Sequence, residues 1–540
     1  MREPGRSLVP DSGGWNDLRA QFRWPRWSRF NIAEACCDVW ARADPDRIAL
    51  RYIRPDGEER IFSYRVLERA SRRFANALRF HGVERGDRVA VLLPQSPETL
   101  IAHLAAYRLG AIVVPLFSLF GEDGLHFRMR DSGARAIITD AQNLPKVVAI
   151  RDALPDLRCV FSIDVREKQV LGFWQELGKA ADACPTVPTA SEDPAFLSYT
   201  SGTTGPPKGA LHAHRCLIGH LPGISLAHNG LGQKGDCIWT PADWAWMGGL
   251  TNVLLPSLYH GVPVVAHRMT KYDPEGAADL IIRTGIRNTF FPPTALKLMR
   301  QAGVERVAGL RSVTSAGEAL GSELLDWGQG VFGLTINEFY GQTECNPVIG
   351  NCSARMPVKP GSTGKPIPGH DVAIVSPNGD VLPPGEPGEI AVRRPDPAMF
   401  LRYWNNPVRT AEKIRGEWLP TGDEAVMDEE GYVFFQARSD DVITSSGYRI
   451  GPTEIEECLS SHPDVIMAGV VGVPDPIRTE AVKAFVILRD NVSPEGLELA
   501  LKARVRDRIS PHVAPRNVVF VNHLPMTATG KIQRRFLREA

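Results

Sequence analysis

An α/β fold is the class this sequence predicts, and three observations predict it. Over the first two-thirds of the chain, short and continuously apolar strands alternate with helical stretches, which suits parallel sheets covered on both faces. From about Pro360 the texture changes to apolar runs separated by Pro/Gly turns, as in a small antiparallel sheet or barrel. From Val442 onward the chain reads as a separate α+β unit. The expected architecture is a large N-terminal domain of two α/β sheet subdomains plus a small β-barrel-like subdomain, followed by a smaller α+β C-terminal domain.

Taken in order, residues 1–30 are rich in Gly, Pro, Arg and Trp and read as an irregular arm. Asn31, with Glu34 three residues later, predicts the start of a helix running to about Ala43. Ala49–Ile53 and Glu59–Ser63 flank Pro55-Asp56-Gly57 and predict a hairpin. Helices over Tyr64–Phe80, Pro97–Leu109 and Gly124–Ser132 then alternate with strands over Asp87–Leu93, Ala111–Pro115 and Ala136–Thr139. Ala195–Tyr199 reads as a buried strand, and a helix is expected near His214–Leu217. A second block follows, with helices over Asn252–Tyr259 and Asp273–Thr284 and strands over Val262–Ala266 and Asn288–Phe291. Val372–Val375 and Gly388–Val392 are the strands of the third unit. A polar run, Arg438–Asp441, after the strand Tyr432–Gln436 marks a boundary. Beyond it, helices over Thr453–Ser461 and Leu497–Ile509 accompany strands over Val465–Val473, Val482–Leu488 and Val518–Val521.

At 540 residues the chain holds more than one domain. Its 62 basic and 62 acidic side chains balance, so no global field attracts nucleic acid or an anionic membrane. Nine cysteines without a Cys-x-x-Cys pair point to reduced thiols rather than to a disulfide framework or a zinc site. The first residues lack the apolar core of a signal peptide, and no apolar run reaches the roughly 20 residues that span a bilayer. The expectation is a soluble, cytoplasmic protein.

The stretch Tyr199–Gly209 carries the first chemistry. Thr200, Ser201, Thr203 and Thr204 offer hydroxyl donors, Gly202 and Gly205 free the backbone to aim successive N–H groups at one anion, and Lys208 adds a mobile charge. The expected setting is strand–loop–helix, with a polyphosphate near a helix N-terminus. It is not a Walker A loop, because Lys208 lies between Pro207 and Gly209. Composition alone would also suit a flexible surface loop. The order of all eleven residues, however, resembles the phosphate-binding signature of adenylate-forming enzymes, the superfamily of acyl-CoA synthetases, luciferases and peptide-synthetase adenylation domains.

Four later segments strengthen that resemblance. Glu338-Phe339-Tyr340-Gly341-Gln342-Thr343-Glu344 resembles the segment that closes over the nucleotide: Tyr340 offers a face for adenine, Thr343 a hydroxyl for the α-phosphate, and Glu344 a hard oxygen ligand for magnesium. The family pattern puts adenine beside Gly317, Glu318 and Ala319, and ribose on Asp423 of Thr421-Gly422-Asp423, paired with Arg438. Ser446, Gly447, Tyr448 and Arg449 match the segment that lines the pantetheine tunnel of acyl-CoA synthetases, and Thr453 with Glu456 after it makes a capping box. Lys531, in Pro525–Ile532, matches the catalytic lysine. Arg478, Arg506 and Arg516 are candidates by position for the phosphates of CoA. The match is nearest to the medium-chain and acetyl-CoA-synthetase-like branch.

The resemblance implies an AMP-forming ligase that uses ATP, Mg2+ and CoA. A carboxylate attacks the α-phosphorus of ATP, and the CoA thiol then displaces AMP from the acyl-adenylate. Lys208, Thr343, Glu344 and Lys531 are the implied catalytic set. A mobile C-terminal domain, residues 442–540, would rotate about Asp440 within a hinge at 438–441, relative to an N-terminal adenylate-forming domain at 31–437. Acetate-specific relatives carry a tryptophan where this chain has Gly341, so the pocket is expected to extend, and a tryptophan placed there would shorten it without disturbing the fold. Trp244, Trp246, Met247 and Phe291 are the expected walls, with short- to medium-chain acids favoured. An aryl acid, a carrier-protein acceptor and an inactive nucleotide-binding regulator stay open as alternatives. The context of Lys531 also resembles that in which a lysine acetyltransferase and a deacylase switch such enzymes.

Overall fold

The computed structural model describes residues 5–167, 169–200, 207–269, 271–438, 441–445, 448–475, 479–509, 513–527 and 530–539. Among these, the strands form four sheets. The first has eight strands, in the order Arg402–Tyr403, Lys208–Ala213, Pro194–Thr200, Ile112–Pro115, Arg88–Leu92, Ala136–Thr139, Cys159–Ser162 and Leu171–Gly172. The second has nine: Lys365–Pro366, Cys345–Gly350, Asn337–Gln342, Ser312–Ser315, Asn288–Phe290, Ile238–Trp239, Val264–His267, Ile48–Ile53 and Glu59–Ser63. The central strands of both are parallel, as the apolar runs require.

Local chemistry sets the helix limits. Ser63 Oγ accepts from Val66 N at 3.4 Å to start Tyr64–Phe80. Ser96 Oγ accepts from Thr99 N at 3.2 Å, Pro97 follows at the first helical position, and Gly110 at φ 66° ends Pro97–Leu109. That second helix and Cys216–Ala227 are buried on nearly every side, inside one core that joins the facing strands of the two large sheets.

The two blocks are laced together rather than placed side by side. The hairpin Ile48–Ser63 belongs to the second sheet, Leu50 pairing with Val264, and Arg402–Tyr403 returns to the first, Tyr403 pairing with Ala210. The arm is irregular apart from one helix, Trp15–Gln21, and the indoles of Trp15 and Trp24 donate to Pro366 O at 3.2 Å and Gly369 O at 2.7 Å. Buried aromatics order it despite its Gly and Pro content.

The third sheet, Val372–Val375, Gly388–Arg393, Trp418–Met427 and Val433–Arg438, is an open antiparallel sheet and not a barrel. Four strands are too few to close around a filled interior, for which about eight are usual. The fourth sheet pairs Tyr448–Ile450, Ile443–Ser445, Thr479–Leu488 and Val465–Asp475, with Asn517–Phe520 parallel to Thr479–Leu488, and the helices Pro452–Ser460 and Leu497–Arg508 share its core. No helix among the described residues is long and apolar enough to cross a membrane.

One buried ion pair fastens the first helices. Arg108 Nη1 donates to Asp38 Oδ2 at 2.8 Å and to Thr186 Oγ1 at 2.9 Å, its Nη2 donates to Asp38 Oδ1, and its Nε donates to Ser71 Oγ at 3.0 Å. Both side chains are buried. Truncating one partner strands the other charge, so Asp38→Ala should cost about 3–5 kcal/mol. A thermal or urea midpoint within error of wild type would refute that role.

Candidate functional site

A cleft of about 1350 Å³ opens where the three sheets of residues 48–438 meet the C-terminal unit. Lys208, Gly317, Tyr340, Glu344, Asp423 and Lys531 all line it. Segments far apart in sequence are thus brought to one wall.

At one end stands the glycine-rich segment. Ser201, Gly202, Thr203, Thr204 and Gly205 lie outside the described residues. The expected strand–loop–helix is corrected: a strand, not a helix, follows the segment. Pro194–Thr200 and Lys208–Ala213 are antiparallel, with Thr200 paired to Lys208, and the helix begins only at Cys216. Ala210–Ala213 is continuously buried and extends the first sheet, which is why the segment after Lys208 is a strand. Thr200 Oγ1 donates to Lys208 O at 3.4 Å. Lys208 Nζ lies 5.6 Å from the ring centroid of Tyr403, whose hydroxyl donates to Glu344 Oε1. Tyr403 therefore links the cation to the carboxylate, and no motif pointed to it; its one signal was the aromatic cluster Phe400-Leu401-Arg402-Tyr403-Trp404. Thr343 lines the cleft beside Glu344. With Oε1 held by Tyr403, Glu344 keeps a second oxygen, which fits a hard cation bound through one or two carboxylates and substrate phosphates. Among the described residues no group of three or more His, Cys, Asp or Glu could hold a metal ion without such help.

At the other end sits Asp423. Its carboxylate accepts from Tyr340 Oη and lies 3.5 Å from Arg438 Nη1, its register partner on the next strand. Gln342 Nε2 donates to Thr421 O at 2.9 Å. Burial pushes the Asp423 carboxyl up, while Arg438, Tyr340 and Lys531 pull it back. Gly317, at φ +108°, carries the chain past the Trp246 ring; its backbone conformation is one that side-chain-bearing residues rarely adopt. Glu318 pairs with Lys297 at 3.7 Å, and Ala319 lines the cleft next to it. Phe339 is buried and packs on Phe290 at 5.7 Å. Glu338 has its carboxyl pushed up to about 8, first by burial and then by Glu457 of the C-terminal unit.

Lys531 reaches this wall on a loop whose Thr527 N donates to Lys531 O at 2.8 Å. A Cβ built on Gly530 would lie 3.1 Å from Thr294 Oγ1, so the C-terminal loop rests directly on the larger unit. Of the other expected residues, Tyr448 and Arg449 lie in the strand Tyr448–Ile450, and Ser446, Gly447 and Arg478 fall outside the described residues. Arg506 pairs with its neighbour Asp507 at 2.8 Å on an exposed surface, and Arg516 is exposed; neither lines the cleft. The capping box of Thr453 and Glu456 does not form. The helix starts at Pro452 after Gly451, and Glu456 instead receives Arg534 at 2.7 Å and Val470 N at 2.8 Å. A charge-assisted pair with an arginine outcompetes a cap.

Trp246 and Phe290, Gly341 and Asn346, and Asn346 and Asn252 are neighbouring pairs that, with Met247, line the pocket side of the cleft beside Gly341. Of the four residues expected as walls, Trp246 and Met247 line the cleft; Trp244 and Phe291 are fully buried and do not, whereas Phe290 does. Gly341 is more constrained than expected. A Cβ there would lie 2.5 Å from Asn346 Oδ1 and 2.8 Å from Asn346 Cα, so a tryptophan could not enter without displacing Asn346.

A family model described as "AMP-binding enzyme" matches residues 37–404, and one described as "AMP-binding enzyme C-terminal domain" matches residues 454–531. The chain is 37% identical to the human mitochondrial acyl-coenzyme A synthetase ACSM4, over 100% of this chain and 96% of that one. It is 34% identical to the acetyl-coenzyme A synthetase of Bacillus subtilis, over 97% and 93%. The crystal structure of the anthranilate CoA ligase AuaEII with anthranoyl-AMP superposes with a TM-score of 0.86 at 29% identity, covering 95% of this chain and 97% of that one.

Two outcomes follow from the geometry. Gly341→Ala should overpack the turn against Asn346 and cost about 1–3 kcal/mol in unfolding free energy; an unchanged midpoint would mean that Asn346 yields freely. Glu338 binds its proton more tightly folded than unfolded, so its share of stability is complete below about pH 4.5 and declines up to about pH 8. Glu338→Gln lacks that decline, and its thermal midpoint should rise relative to wild type between those limits. A constant difference would contradict the raised value.

Proposed function

The chain belongs to the AMP-binding enzyme family and is an AMP-forming acyl-CoA synthetase, an ATP-dependent acid:CoA ligase; on that premise we propose how its residues divide the work on a short- to medium-chain acid. The observation that supports the division is the convergence of Lys208, Glu344, Asp423 and Lys531 on one cleft.

In the first step a carboxylate oxygen attacks the α-phosphorus of ATP, and the bond to the bridging oxygen breaks to release pyrophosphate. Negative charge gathers at that phosphorus, so pre-placed cations and donors carry most of the acceleration. Lys531 meets the carboxylate and the α-phosphate, and Thr343 donates to the same phosphate. Residues 200–208, with the Lys208 charge, hold the β- and γ-phosphates. Glu344 would hold the magnesium that neutralises them. Asp423 accepts the ribose hydroxyls, and Gly317, Glu318, Ala319 and Tyr340 border adenine. In the second step the CoA sulfur attacks the acyl carbon, and AMP leaves with the electron pair.

Lys531 serves only the first step. We take residues 31–437 and 442–540 as domains and 438–441 as the hinge. Asp441 accepts from Arg534 Nη1 and Arg538 Nη2, each at 3.0 Å, so it is clamped to the C-terminal unit and the turning point lies before it. Rotation there would withdraw Lys531 and bring Gly447 and Arg449 to the thioester site. Lys531 is exposed, which lets an acetyltransferase and a deacylase reach it, and acetylation would remove its charge. All nine cysteines are free, which supports a reducing compartment such as the cytoplasm.

An aryl acid is the second reading, favoured by Trp246 and Phe290, whose rings stand 5.9 Å apart at the pocket. Pyrophosphate release with acetate through dodecanoate and with benzoate, with and without CoA, distinguishes the two. Lys531→Ala should slow adenylate formation by about 10²–10³, or about 3–4 kcal/mol, while leaving a supplied acyl-adenylate to react with CoA. Equal loss of both half-reactions would remove Lys531 from the first step.

A further inference from the structure

We propose that the preferred acid carries a hydroxyl on its acyl chain, read by Asn252 and Asn346. The inference rests on the reading that the pocket beside Gly341 receives the acyl group.

Both amides are buried, with 3% and 6% of their surfaces exposed, and both line the pocket. Their orientation is set by a relay that begins in the neighbouring helix. His220 Nδ1 lies 2.7 Å from Cys216 O, a carbonyl that only accepts, so Nδ1 carries the proton. Burial pushes the His220 pKa down to about 4, which leaves the ring neutral and its Nε2 an acceptor. Asn346 Nδ2, 3.1 Å from that Nε2, must therefore be the amide nitrogen, and it also donates to Asn252 Oδ1 at 2.6 Å.

Two groups remain. Asn346 Oδ1, an acceptor, and Asn252 Nδ2, a donor, take no hydrogen-bond partner among the described residues. Asn346 Oδ1 is the atom that crowds the Cβ position of Gly341, so the acceptor sits at the very turn expected to bound the acyl chain. Asn252 lies in a π-helical turn, Leu250–Leu254, an irregularity frequent at functional sites. The two amides are bonded to each other, which keeps the free donor and free acceptor close together. A methylene chain satisfies neither and takes their hydration away. A hydroxyl donates to the first and accepts from the second with one group. Discrimination against an analogue that lacks such a group is far stronger than discrimination by chain length.

The test measures kcat/KM by pyrophosphate release for butanoate and hexanoate against their hydroxy derivatives, with the hydroxyl moved along the chain. At least one position should exceed the parent acid by on the order of a hundredfold. Asn252→Leu should erase that preference and raise use of the parent. The wild-type comparison stands by itself if the variant folds poorly. Parent acids used as well as every hydroxy acid would overturn the inference and leave the ligase assignment intact. Pyrophosphate release with none of the acids would overturn the pocket reading, and the inference with it.

Discussion

The Asp423 carboxylate is buried where three parts of the molecule meet. Tyr340 and Gln342 come to it from the strand Asn337–Gln342 of the nine-stranded sheet, and Arg438 from the neighbouring strand of the four-stranded sheet. Immediately past Arg438 the chain crosses to the C-terminal unit. A charge in that setting is tolerated only while its donors stay in place, since burial alone favours the neutral acid. The seat of this carboxylate and the joint between the two sheets are therefore one structure. A change that loosens the joint loosens the seat.

The same economy governs the end of the cleft at Lys208. Tyr403 belongs to a two-residue strand that closes the edge of the eight-stranded sheet, and its ring and hydroxyl serve Lys208 and Glu344. Lys208 and Glu344 are thus held by an element whose first task is to complete a sheet. The C-terminal unit adds a loop and a helix to this frame, with Gly530 against Thr294, Gly451 against Gln436 and Glu457, in the helix Pro452–Ser460, near Glu338.

Local signals were readable in the sequence. Ser63, Ser96 and Gly110 mark helix ends that need no tertiary information, and the expected spans Tyr64–Phe80, Pro97–Leu109 and Ala136–Thr139 coincide with the observed ones. Motif order pointed to the family because Lys208, Glu344, Asp423 and Lys531 stand in fixed sequence along the chain. What stayed hidden was set by partners distant in sequence. Nothing near Tyr403 announces Glu344, and nothing near Gly341 announces how closely Asn346 approaches it. Ala210–Ala213 read as the approach to a helix because its strand partner, Pro194–Thr200, lies on the far side of the glycine-rich segment. Glu456 looked like a capping residue until Arg534, far down the chain, came within 2.7 Å.

The hairpin Ile48–Ser63 has a consequence for how the protein is made. Its parallel neighbour, Val264–His267, follows Leu50 by roughly two hundred residues, which a ribosome working at about 5–20 residues per second adds in roughly 10–40 s. Throughout that interval the growing chain carries a finished two-stranded ribbon whose inner edge has nothing to pair with. An isolated hairpin is only marginally stable in water, and an open edge invites other strands. Nascent chains of this protein therefore pass through a long window in which they are sticky, and slower translation would lengthen it.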